Sequence, residues 1–263
     1  MTTVQNIYDY IQTLAPEYMA ESWDHVGLLC GRSDREVKRV LVALDPFRAV
    51  CEEAKTRNCQ LLLTHHPCLW ELKAVNDQTQ EGRNLLFLIE NGISAINAHT
   101  NLDHAPGGVN DCLAGKLGLR EIEVIDPAGT DGAGSPYGLL RGGNIAPCPP
   151  AVFAALVKEL LGCERVRFAD GGKPITRVAV GGGSCAGLLS RVAELGYDAF
   201  VTADVKYNAF NDARDLGVTL IDAGHFETEN PVCAYLAEKV RAAFPKIEVF
   251  LSEVQTDCIL SVK

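Results

Sequence analysis

A chain of 263 residues with 47% hydrophobic and 22% charged side chains can bury a sizeable core, which excludes a disordered or fibrous protein. Its net charge of -10, with pI near 5.1 and no Lys/Arg cluster, repels polyanions and makes nucleic acid an unlikely partner. The N-terminal MTTVQNIYDYIQTLAPEY has neither a basic start nor a continuous apolar stretch, and no later run is long enough for a bilayer, so a soluble cytoplasmic protein without a membrane partner is expected.

Along the chain, VKRVLVALDP (37–46) reads as a strand, FRAVCEEAKTR (47–57) as a helix, CQLLLTHHP (59–67) as a strand and GRNLLFLIEN (82–91) as a helix. GISAINAHT (92–100) is the next strand. The Gly/Pro-rich stretch DPAGTDGAGSPYGLLRGGNIAPCPP (126–150) reads as turns around a short strand, PYGLLRG. PPAVFAALVKELLG (149–162) then reads as a helix with proline in its first turn. The alternation resumes with strands ITRVAVGGGS (175–184), DAFVTADVKY (198–207) and GVTLIDAGHF (217–226), separated by helices CAGLLSRVAELG and KYNAFNDARDLG. Near-continuous apolar strands between helices predict an α/β fold with mostly parallel sheets covered on both faces.

The second series echoes the first. Arg177 and Val178 stand 138 positions after Arg39 and Val40, and Thr202 stands the same distance after Thr64, which predicts an internal duplication into two similar α/β halves, 1–125 and 126–263. Ten cysteines contain no CxxC pair, and the closest two, Cys51 and Cys59, lie eight apart. They read as buried reduced thiols rather than a zinc or disulfide framework.

In parallel α/β sheets, ligands bind beyond the carboxyl ends of the strands. Four of the six histidines, His65, His66, His99 and His225, fall at such ends, together with Asp103, Asp204, Glu227 and Glu229. Imidazole and carboxylate together suit first-row divalent metals, and this many donors favours two ions over one. Adjacent His65 and His66 can share a site only where the strand has ended and the chain turns, as Pro67 encourages; each would then touch a different ion. His225 and Glu229, four apart, fall on one face if a helix starts there. His99 and Asp103 share that spacing, although Asn101 and Pro106 favour a loop. His104 reads as a solvated loop residue and His25 as either a group supporting the site or a polar turn residue. The glycine turn VGGGSCAG (180–187) opens a helix, and its amides could hold an anion or simply form a tight turn.

ESWDHVGLLCGR, LLLTHHP, INAHTNLDHAPGGVND and VTADVKYNAFNDARDLGVTLIDAGHFETE resemble, in order, the motifs of the NGG1-interacting-factor-three-like dinuclear metal family, also named GTP cyclohydrolase I type 2 homologues. The resemblance covers nearly the whole chain. It implies a cleft between two α/β halves holding two divalent ions (iron, zinc, manganese or nickel), with His65, His66, Asp103, His225 and Glu229 as ligands and His99 as a neighbour. It also implies a homohexamer. Two departures from the family's motifs stand out: His25 replaces the asparagine of WDNVGL, and Ala203 and Asn208 replace the glycine and histidine of TGDVKYH.

Two ions together lower the pKa of a bridging water to about 7 and polarise the bond it attacks, which makes hydrolysis their natural use. For GTP the family name implies attack at C8 of the purine, ring opening and release of formate, with His99 or Asp45 as candidate proton shuttles. A protein that stores or delivers metal without catalysis, or a regulatory scaffold, is the alternative.

Overall fold

The valine and leucine runs form the buried strands of two main sheets, in a computed structural model that describes residues 1–71 and 74–262. The chain begins with α1 (Val4–Leu14), β1 (Gly27–Cys30), β2 (Arg39–Ala43), α2 (Arg48–Thr56), β3 (Leu61–Thr64), α3 (Gln80–Glu90), β4 (Ser94–Asn97) and a short α4 (Thr100–His104). There follow α5 (Val109–Lys116), β5 (Arg120–Val124), a hairpin of β6 (Gly129–Thr130) and β7 (Pro136–Tyr137), and β8 (Arg141–Cys148). Next come α6 (Pro150–Leu161), β9 (Arg167–Ala169), β10 (Ile175–Val180), α7 (Leu189–Glu194), β11 (Ala199–Thr202), α8 (Tyr207–Leu216), β12 (Thr219–Asp222) and a short α9 (His225–Glu229). The last elements are α10 (Pro231–Ala243) and β13 (Glu248–Leu251).

The first sheet has the order β1-β4-β3-β2-β13. β4, β3, β2 and β13 run parallel, and β1 closes one edge antiparallel. Its central strand, Leu61, Leu62 and Leu63, is wholly buried, as expected of a sheet covered on both faces. The second sheet, β5-β8-β10-β11-β12-β9, has parallel β10, β11 and β12 at its centre and antiparallel strands outside them. The fold is therefore mixed α/β.

The duplication has a geometric counterpart. Val40 pairs with Leu61 and Leu41 with Leu62; 138 positions later, Val178 pairs with Ala199 and Ala179 with Phe200. The division of the chain, however, differs from 1–125 and 126–263. One compact unit comprises Met1–Gly108 and Val232–Thr256, the other Val109–Pro231 and Asp257–Lys263. The physical reason is the return of β13, which pairs Val249 with Val40 and covers an edge of β2 that would otherwise lie open. The strand expected at PYGLLRG is also displaced. Pro136 and Tyr137 belong to the small hairpin, and the longer β8 starts at Arg141, where it pairs with both β5 and β10.

All ten cysteines are free thiols, six of them buried. Burial pushes Cys51 and Cys163 up to about 12 and Cys30 up to about 11, so these thiols stay protonated and inert. Among the described residues, no helix is long and apolar enough to cross a membrane.

Candidate metal centre

In the first unit, β3 ends at Thr64 and the chain turns, the Thr64 hydroxyl donating to the His66 carbonyl at 2.7 Å. The backbone N–H of His66 still reaches Leu44 at 2.9 Å, so the turn is tied to the neighbouring strand. This turn brings both imidazoles to one side, with ring centroids 4.9 Å apart. His99, from the end of β4, joins them at 5.2 Å from His65 and 5.4 Å from His66. Each of the three offers a ring nitrogen within 4.8 Å of the others, a group that could hold a metal ion. Asp103 Oδ1 lies 3.6 Å from His65 Nε2.

What fixes these rings is at their other nitrogens. His65 Nδ1 donates to the Ala98 carbonyl at 2.8 Å, His66 Nδ1 to Asp45 Oδ1 at 2.7 Å and His99 Nδ1 to Asp24 Oδ2 at 2.9 Å. An oxygen acceptor at Nδ1 selects the tautomer that carries its lone pair on Nε2, the form that ligates metal or accepts a proton. Burial opposes the charge on Asp24, yet hydrogen bonds from His99 and Thr100 hold its carboxyl below the ordinary carboxylate range.

The HTNLD stretch corrects two expectations. It forms a short helix rather than a loop, because Asp24 accepts from both the N–H and the hydroxyl of Thr100, and Asn101 donates to the Ala15 carbonyl at 2.7 Å. These contacts fasten the turn from a distant part of the chain. His104, expected in solvent, is buried at 5% exposure with Nε2 3.1 Å from Glu21 Oε1. His25 is exposed in the irregular stretch before β1, its carbonyl accepting from Asn97.

In the second unit, β12 ends at Asp222 and α9 begins at His225. Its first turn places Glu229 Oε2 3.0 Å from His225 Nε2, as the four-residue spacing predicts. His225 Nδ1 donates to Asp204 Oδ2 at 2.8 Å, and Asp204 also accepts from the Ser184 hydroxyl. Asp204 holds a left-handed φ of 52°, a region that few non-glycine residues adopt and in which aspartate is enriched. Burial disfavours a charged ring at His225, but Glu229 and Asp204 push its imidazole up to about 9. The two carboxylates around the ring favour positive charge there, a setting equally suited to a divalent cation, which would take the place of the Nε2 proton.

The glycine turn at 180–187 serves this arrangement instead of an anion. A Cβ at Gly183, whose φ is +60°, would stand 2.0 Å from Glu229 Oε1, so only glycine leaves that carboxylate its place. The turn's amides are already engaged: Gly181 donates to the Val201 carbonyl, Gly182 to Asn110 Oδ1 and Gly183 to Thr228 Oγ1. They hold the loop to α5, β11 and α9.

The first unit thus brings His65, His66, His99, Asp103 and Asp45 together, and the second brings His225, Glu229 and Asp204 together. Ala203 is buried at the end of β11, and Asn208 is exposed in α8. Sequence spacing missed Asp24, which sits beside His25 in the SWDHVGL motif but acts on His99, 75 positions away. The one signal for it was its position within that motif.

The sequence profile of the family described as Duf34/NIF3 (NGG1p interacting factor 3) matches residues 2–258. The chain belongs to the Duf34/NIF3 family. This NIF3-family chain is 37% identical over 243 residues to the GTP cyclohydrolase 1 type 2 homolog of Streptomyces coelicolor, covering 89% of this chain and 84% of that protein. With the protein of the same name from Clostridium perfringens the identity is 32% over 243 residues, covering 90% and 91%. Among solved structures, the Staphylococcus aureus protein SA1388 matches the NIF3-family chain with a TM-score of 0.91 at 28% identity, over 99% of both chains.

Proposed function

We propose that this NIF3-family chain binds two divalent metal ions through His65, His66, Asp103, His225 and Glu229 and hydrolyses a purine nucleotide, opening the ring and releasing formate; the relatives' name, GTP cyclohydrolase 1 type 2 homolog, supports the substrate class. The observation that carries this reading is the common setting of the imidazoles: His65, His66 and His225 each have Nδ1 on an oxygen acceptor, which leaves the Nε2 lone pair for a metal ion. Bound divalent ions would supply Lewis-acid polarisation and a lowered water pKa, and iron, zinc, manganese and nickel all accept this donor set.

The chain's own residues do the rest. His99, fixed by Asp24, takes up or returns a proton at Nε2. Asp45, with its carboxylate on His66 Nδ1, orients that ligand, which makes it a positioning group and leaves proton transfer to His99. The same reading carries a homohexamer working in the cytoplasm. Ala203 and Asn208, standing where the family motif carries glycine and histidine, favour the second reading, a protein that stores or delivers metal.

Formate release from GTP by metal-loaded protein separates the two, with Glu229→Ala as the control and the metal content of each preparation counted. Formate that vanishes in the variant is the outcome expected of the hydrolase. Two bound ions without formate would overturn the hydrolase in favour of metal handling.

A further inference from the structure

The chain contains two tryptophans, and both stand against the same imidazole. Trp70 meets His99 edge-on at 5.2 Å between ring centroids, and Trp23 meets it at 6.0 Å. His99 is itself buried, while Trp23 and Trp70 are 59% and 51% exposed. Other aromatics of the chain, such as Tyr207 and Tyr18, are as open, so what distinguishes Trp23 and Trp70 is that both half-exposed indoles flank one buried imidazole. Trp70 is also held in place, its backbone N–H donating to Glu81 Oε1 at 2.5 Å. Neither indole N–H has a hydrogen-bond acceptor among the described residues, so both donors are available to a ligand.

We propose that Trp23 and Trp70 form an aromatic platform on whose indole faces the planar heterocyclic base of a nucleotide stacks beside His99. A base stacks on an indole face whatever its identity, and each such contact contributes about tenfold or more in affinity. The proposal rests on the nucleotide substrate class of the hydrolase reading, yet it concerns binding alone.

Intrinsic fluorescence reports the platform directly, because every tryptophan of the chain belongs to it. Titration of the full, metal-loaded chain with guanosine 5′-monophosphate should give saturable quenching, and ribose 5-phosphate, which lacks the base, should give none. Trp70→Ala should weaken the nucleotide about tenfold at unchanged metal content, and Trp70→Phe, which keeps a stacking face, should restore most of the loss. Quenching equal for the two ligands, no saturable quenching, or unaltered affinity in Trp70→Ala would overturn the platform. Formate release assayed on the same preparations separates the two proposals: quenching without formate sinks the hydrolase and leaves the platform standing. Formate release with no dependence on Trp70 sinks the platform alone.

Discussion

His66 and His225 lie on carboxylates at Nδ1, whereas His65 lies on a backbone carbonyl. A carboxylate makes its ring more basic and a better ligand, and a carbonyl only fixes the orientation, so the three imidazoles are tuned differently. Asp24 does for His99 what Asp45 does for His66, and it also anchors Thr100 from a fully buried side chain. Asp24→Ala should therefore cost about 3 kcal/mol of stability in urea denaturation, because it strips the three donors of His99 and Thr100, and the His25 N–H besides, of their acceptor. A loss below about 1 kcal/mol would show that the triad of contacts is not what holds α4. Gly183→Ala is expected to leave the protein folded yet displace Glu229, lowering bound metal as Glu229→Ala does; a variant with full metal content would contradict that packing. The gathering of the histidines was legible in the sequence because they fall at the carboxyl ends of parallel strands, where such folds present polar groups. Their partners were not, since Asp24 and Asp45 come to His99 and His66 from 75 and 21 positions away and nothing local marks such pairs.

At the scale of elements, the two central strand pairs are held alike but not fastened alike. Asp198, just before β11, accepts from Thr176 N–H at 2.9 Å, its hydroxyl at 2.8 Å and Arg177 N–H at 3.0 Å, with Lys173 Nζ at 3.0 Å. Burial raises its carboxyl, but these donors outweigh it and hold the group at about 2, below the ordinary 3.8. A lowered carboxylate stabilises the fold above its unfolded value and loses that contribution as pH falls through the folded one. Asp198→Asn should thus cost about 2 kcal/mol near neutrality, with the deficit closing between about pH 4 and pH 2 in denaturation experiments. A deficit independent of pH would contradict the charge as its cause. In the same unit Phe200 is fully buried in β11, and Phe200→Ala should cost about 3–5 kcal/mol by the same measurement. Six of the seven parallel strands, β2, β3, β4, β10, β11 and β12, were legible because their apolar runs are continuous. The short edge strands β1, β5, β9 and β13 were not, because three to five residues with few of them buried carry too little periodicity.

For the whole molecule, the return of the C-terminal chain is what sequence reasoning could not foresee. The repeat at 138 positions describes β2 and β3 against β10 and β11, and a duplication read that way suggests two successive halves; only the pairing of β13 with β2 reveals that the first unit is completed by residues that follow most of the second. A ligand that binds the folded chain and not the unfolded one adds about 1.4 kcal/mol for each tenfold excess over its dissociation constant. Chelation should accordingly lower the melting temperature and added divalent metal restore it, and a melting temperature indifferent to metal would speak against tight binding. The most direct test of the central assignment is a count of metal ions per chain in the native protein, His66→Ala and Glu229→Ala, with circular dichroism on each. Two ions in the native chain and fewer in both folded variants is the predicted result; two ions retained in both variants would contradict the ligand set.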